Sequence, residues 1–127
     1  SAGLYVSVVL APARSVVSPE RATALLTLMA GVALSQAVEQ VTGLAPAIKW
    51  PNDLLVERRK LAGILAEGVA SPSSAGLQGV VLGYGINVMA AAYPPDLASR
   101  VTSLEAELGR AIDRAALCAE SIGQYMP

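Results

Sequence analysis

Apolar and polar positions partly alternate along Leu4-Tyr5-Val6-Ser7-Val8-Val9-Leu10, a run rich in Val that reads as a half-buried or central strand. Ala11-Pro12-Ala13-Arg14 ends it. Ser18-Pro19-Glu20 then supplies a helix start: a Ser cap, Pro at the first helical position and an acid in the first turn. The helix is expected to run to about Val41 and to stop at Gly43, a residue suited to the left-handed terminator. From Ala22 to Leu34 its apolar positions go nearly all the way round. Such a helix should lie against a sheet and be covered by a further element.

Ala47-Ile48-Lys49-Trp50 reads as a short strand, broken by the turn residues Pro51-Asn52-Asp53 and resumed at Leu54-Leu55-Val56. Glu57-Arg58-Arg59-Lys60 is the expected hairpin tip, and Leu61 to Val69 the returning strand. A loop from Ala70 to Gly76 leads to another strand, Gln78 to Asn87. Thr102 to Leu108 reads as a short helix ending at Gly109, and Asp113 caps a last one from Arg114 to about Tyr125. Without repeats or a second hydrophobic unit, residues 1–127 are expected to form one domain. Its class is α+β (mixed α/β): a mostly antiparallel sheet with helices packed on one side.

Composition narrows the chemistry. The 127 residues are 54% hydrophobic with no Phe, so Leu, Val, Ile and Ala must build the core. A net charge of −1 gives neither a basic footprint for nucleic acid nor a polybasic membrane anchor. The apolar run from Ala22 to Leu34 falls short of the roughly 20 residues of a bilayer span, and no signal peptide is evident. One cysteine and no histidine argue against an internal disulfide, a zinc site or any catalytic triad. The expected compartment is the cytoplasm. A hard cation such as Mg²⁺, held by carboxylate and amide oxygens, remains compatible with the residues present.

Chemistry must then rest on Lys, Arg, Asp, Asn and backbone groups. Lys49-Trp50-Pro51-Asn52-Asp53 sets a cation, an amide and a carboxylate at a strand break. Asn52 and Asp53 could position a triphosphate and its Mg²⁺ while Lys49 offsets charge. An ordinary turn uses the same residues. Lys60 follows Arg58 and Arg59, which together read as a solvated cluster protecting a hairpin edge. Yet Lys60 also directly precedes Leu61-Ala62-Gly63-Ile64-Leu65. Where the chain re-enters the core, its charge could meet a substrate carboxylate and an attacked phosphate together. Gly63, Gly83 and Gly85 fall within strand patterns, where they mark either bulges or a slot for a flat ligand. Asn87 could read a purine edge or end a strand, and Trp50 is more often core than ligand stack.

Three ordered motifs carry a resemblance: Lys-Trp-Pro-Asn-Asp-Leu from Lys49, Arg-Lys-Leu-Ala-Gly-Ile-Leu-Ala-Glu from Arg59, and Gly-Tyr-Gly-Ile-Asn-Val from Gly83. They closely resemble the core motifs of biotin protein ligases, also called biotin–[acetyl-CoA-carboxylase] ligases. Gly3 to Leu10, Thr102-Ser103-Leu104, Glu107-Leu108-Gly109 and Asp113-Arg114 are similar to the family's flanking segments. The resemblance implies a two-step reaction with ATP and Mg as co-substrates and biotin as substrate. The biotin carboxylate attacks the α-phosphate to give biotinyl-5′-AMP, and a lysine of a carboxylase's biotin carboxyl carrier domain then takes the biotinyl group. By motif position, Lys60 matches the catalytic lysine, and Gly63 and Leu65 the biotin slot. Lys49, Asn52 and Asp53 match the nucleotide side, with Asp53 toward the metal. Ile86 and Asn87 match the adenine side.

The family's Gly-Arg-Gly-Arg loop and its earlier Ser/Thr and Gln for the ureido ring would lie upstream of Ser1, and its small C-terminal domain would lie downstream. The chain is therefore expected to be a partial catalytic core, inactive until the upstream part is supplied. A sheet edge left open would favour self-association into a homodimer. The competing readings are a non-catalytic remnant that binds adenine nucleotide, and a relative of the lipoate ligase and octanoyl transferase branch. The Trp-Pro-Asn-Asp and Gly-Ile-Asn motifs favour biotin.

Overall fold

The computed structural model describes residues 2–10, 19–70 and 77–125. The expected Ser18 cap, the turn at 11–14 and most of the 70–76 loop lie outside the described residues. Among the described residues, five strands make one antiparallel sheet: β1 (Gly3–Leu10), β2 (Ala47–Lys49), β3 (Asp53–Val56), β4 (Arg59–Ala70) and β5 (Leu77–Asn87). Their spatial order is β1-β5-β4-β3-β2. The long helix α1 (Pro19–Thr42) links β1 to β2, and α2 (Pro95–Ala98), α3 (Leu104–Leu108) and α4 (Arg114–Tyr125) follow β5.

The helices cover one face only, as the binary pattern of β5 requires. Val80, Leu82, Tyr84, Ile86 and Val88 are buried, at a spacing of two. All but Val80 meet Ala30, Leu34 and Val38 of α1 and Leu117 of α4 in the main hydrophobic cluster. Inside that layer the Tyr84 hydroxyl shares a 2.6 Å hydrogen bond with Ser121 Oγ. Ser121 in turn donates to the Cys118 carbonyl at 2.8 Å, so no polar atom there is stranded. Burial raises the Tyr84 pKa above 10.0, against the pull of the Ser121 hydrogen bond.

Local signals place the helix ends. Gly43 closes α1 at φ 82° and donates to the Glu39 carbonyl. Ser103 caps α3 by accepting from Ala106 N, and Gly109 ends it at φ 68°. Asp113 Oδ1 accepts from Ala116 N at the start of α4. At 24 residues α1 extends well beyond the apolar run from Ala22 to Leu34, and its segment Thr23–Thr42 is long and apolar enough to cross a bilayer. In this fold it is the sheet-packed helix, with Leu34, Ala37 and Val38 fully buried.

Candidate functional site

The β3–β4 hairpin turns tightly at Glu57 and Arg58, whose φ angles of 50° and 67° mark a two-residue turn of the primed type. The tip is thus shorter than the sequence suggests, and Arg59 and Lys60 already belong to β4. Pairing begins at Val56↔Arg59 and Leu55↔Lys60, then jumps to Leu54↔Ala62 and Asp53↔Gly63. Leu61 is the extra residue of a β-bulge. In a regular strand, residues three apart face opposite sides. The bulge cancels that rule here, so Lys60 and Gly63 share one face while Leu61 is sunk in the core.

Lys60 consequently lies over the bare backbone of Gly63. A Cβ built on Gly63 would come within 3.3 Å of both Lys60 Cε and Nζ. The ammonium reaches Asp53 Oδ1 at 3.4 Å across the strand pair, with the two side chains 50% and 21% exposed. That separation leaves both partners accessible to solvent and to an incoming anion.

The remaining trench follows from register. Tyr5 pairs with Gly85, Gly85 with Gly63, and Gly63 with Asp53, making a cross-strand row whose two central positions carry no side chain. The next row runs Ser7, Gly83, Leu65. Together they open a trench of about 510 Å³ on the sheet face turned away from the helices, with Lys60, Asn52 and Asn87 at its rim. The β4–β5 pairing passes through Gly63, Gly83 and Gly85 without a shift, which decides between slot and bulge in favour of the slot. At one end the Tyr5 ring lies over Gly85 and Gly3, within about 3 Å of where their Cβ atoms would be.

Of the residues matched to the family's site, Asn52, Asp53, Lys60, Gly63, Leu65 and Asn87 all line this trench. Two do not. Lys49 sits opposite Asp53 on edge strand β2, exposed and outside the lining. Ile86 is fully buried on the helix side, so only its main chain is available to a ligand. Asn87 carries a structural duty as well, since its Nδ2 donates to the Thr102 carbonyl at 3.1 Å. Tyr5 and Ser7 line the trench without having been singled out. The signal for them was their register opposite Gly85 and Gly83, which a single strand pattern does not reveal.

Asp53 is the one carboxylate among the described residues lining the trench. No group of three or more metal-ligating acids, histidines or cysteines occurs among the described residues. One carboxylate with a neighbouring amide fits a cation that arrives on a phosphate substrate, since Mg²⁺ keeps several waters and needs few protein ligands.

Comparison with known proteins gives this geometry its context. Residues 1–87 match the model of the Biotin/lipoate A/B protein ligase family. The chain is similar to the bifunctional ligase/repressor BirA of Bacillus subtilis, 38% identical over 115 residues, covering 89% of this chain and 34% of that protein. It is similar to the biotin–[acetyl-CoA-carboxylase] ligase of Paracoccus denitrificans, 41% identical over 100 residues, covering 72% of this chain and 40% of that one. Its fold superposes on the Aquifex aeolicus biotin protein ligase in complex with biotin and ATP with a TM-score of 0.76 at 27% identity. That match covers 97% of this chain and 48% of the other. The chain thus spans between a third and a half of the length of these relatives, and the part it spans holds the trench and its lysine. It belongs to the biotin/lipoate A/B protein ligase family.

Proposed function

We propose that this chain is the lysine-bearing part of a biotin protein ligase catalytic core. In this reading it acts in the ATP-dependent biotinylation of a carrier-protein lysine through biotinyl-5′-AMP. The supporting observation is the placement of Lys60 by the β4 bulge, over a glycine floor and beside Asp53. In this reading the flat bicyclic ring of biotin lies over Gly83 and Leu65, between the Tyr5 ring on Gly85 and Lys60 on Gly63, with the carboxylate directed at the ammonium.

The difficulty of the first step is that an anion must approach a polyanion. Lys60 eases it by offering one point charge to both the biotin carboxylate and the α-phosphate. The carboxylate oxygen forms the new bond to the α-phosphorus, and the pyrophosphate oxygen leaves with its electron pair. Asn52 and Asp53 serve the nucleotide side, Asp53 meeting a Mg²⁺ delivered with ATP. Asn87 borders the adenine. The carrier domain's lysine amine then attacks the mixed anhydride, releasing AMP. The acceptor on this reading is the biotin carboxyl carrier domain of a carboxylase in the cytoplasm. An open sheet edge gives a second copy a place to pair as a homodimer.

Biotin-dependent exchange of pyrophosphate into ATP tests the proposal, measured on the chain and on the chain extended by the upstream segment of the Bacillus subtilis relative. Exchange in the extended protein, reduced about a thousandfold by Lys60→Ala, is the expected result. Full exchange in the Lys60→Ala protein would sink the assignment, and activation of lipoate in place of biotin would move it to the lipoate branch.

A further inference from the structure

Lys60 is held from behind by a segment distant in sequence. Its amide N–H donates to the Arg100 carbonyl at 2.7 Å, and its carbonyl accepts from Thr102 N at 2.9 Å. This parallel bridge, centred on Val101, holds the Lys60 main chain on the side away from β3 through both its N–H and its carbonyl. Lys60 keeps its place opposite Leu55, but the ladder is broken at the next residue, so the 100–102 segment helps to set where the lysine's Cα sits.

One carboxylate ties that segment to both the strand and helix α3. Glu107 Oε1 accepts from the Thr102 hydroxyl at 2.5 Å and from Arg59 Nη2 at 2.8 Å. Arg59 is the residue immediately before Lys60. The same oxygen thus ties the clamping segment and the clamped strand to helix α3, and the Glu107 side chain is only 13% exposed. From the trench side, Asn87 Nδ2 adds a bond to the Thr102 carbonyl at 3.1 Å and lies 3.5 Å from the Lys60 carbonyl.

We infer that Glu107 is a positioning residue for Lys60: through Thr102 and Arg59 its carboxylate fixes the backbone of the bulge, and so holds the ammonium over Gly63 beside Asp53. The inference rests on the ligase reading for its catalytic consequence, but not for its geometry. Glu107 lies behind the bulge and does not line the trench.

The chain has two lysines, Lys49 and Lys60, so reductive ¹³C-methylation yields one NMR signal for each besides the amino terminus. The Lys60 signal, assigned with Lys60→Arg, is expected away from the free-lysine position because of Asp53. Glu107→Ala should return it to that position and leave the Lys49 signal in place. Glu107→Gln, which still accepts the Thr102 hydroxyl, should rescue part of the displacement. Thr102→Val, which keeps both main-chain bonds, provides a milder break should Glu107→Ala fail to fold. In pyrophosphate exchange by the extended protein, Glu107→Ala should lower kcat about a hundredfold while the KM for ATP stays within about twofold, as for a misplaced catalytic group. A Lys60 signal unmoved by all three variants, or an unchanged kcat, would overturn the positioning role. Full exchange in Lys60→Ala would instead overturn the ligase reading, and the NMR result would still decide the geometry.

Discussion

The two faces of β5 are built to opposite rules. On one, Leu82, Tyr84 and Ile86 interdigitate with the helices until almost no surface remains. On the other, Gly83 and Gly85 contribute nothing beyond the backbone, and their neighbours across the sheet are Gly63 and Leu65. The first face makes the fold stable and the second keeps space for a ligand. One strand, alternating every residue, supplies both, and the contrast teaches that emptiness in a sheet is specified as closely as packing. Removing volume should therefore hurt on one side, and adding it should hurt on the other.

The largest effect is expected on the packed face. Leu82→Ala removes a side chain only 1% exposed and should cost about 3 kcal/mol of stability, seen as a lower midpoint in denaturant unfolding. The adjacent Gly83→Ala should leave that midpoint nearly unchanged, because its Cβ would meet nothing nearer than 3.8 Å. It should instead weaken biotin binding about tenfold by calorimetry, as added bulk in a shaped site does. Equal destabilisation by the two variants would erase the distinction between the faces.

Gly63→Ala sharpens the comparison at the lysine. The new methyl would press on Lys60 Cε and Nζ at 3.3 Å, so exchange activity should fall about tenfold with thermal stability kept. A smaller effect is expected at the hairpin tip, which belongs to neither face. Glu57 and Arg58 occupy positive φ without being Asn or Gly. The double variant Glu57→Asn, Arg58→Gly should raise unfolding free energy by about 1 kcal/mol.

Tyr84 gives the smallest effect and a sign that can be checked. Its folded pKa lies above the ordinary 10.0, so the native state holds the phenol proton more tightly than the unfolded chain does. That contribution is fully present below pH 10.0 and is lost as the pH rises above it toward the folded value. Tyr84→Phe should flatten this alkaline loss in pH-dependent denaturation. At neutral pH it should cost only about 0.5 kcal/mol, since Ser121 keeps its bond to the Cys118 carbonyl.

Legibility in the sequence followed the range of the cause. Gly43, Gly109 and Asp113 act within a few residues, and the helix ends they imply are where the structure has them; the short helix itself starts at Leu104, two residues later than its pattern suggests, because Ser103 caps it. The strands also follow from local pattern, as do the glycines' roles as candidate slot formers. The trench itself does not, because a row such as Tyr5–Gly85–Gly63–Asp53 joins residues brought together only by register. Period-two reasoning places Lys60 and Gly63 on opposite faces, and only the bulge at Leu61 reverses this. Glu107, 48 residues from Arg59, left no local mark. Ile86 shows the converse: its place within a Gly-Ile-Asn motif suggests a ligand contact, while alternation assigns its side chain to the core.

Leu61 also marks where this hairpin can shorten without losing its site. With that one residue gone, Ala62 would follow Lys60 directly and stay opposite Leu54, and Gly63 would stay opposite Asp53. Lys60 and Gly63 would then be two apart in a regular ladder and still share a face. The later positions of β4 would keep their sides, and what is lost is a fully buried leucine from the core. A deletion here would cost stability while the order of side chains along the trench stayed the same.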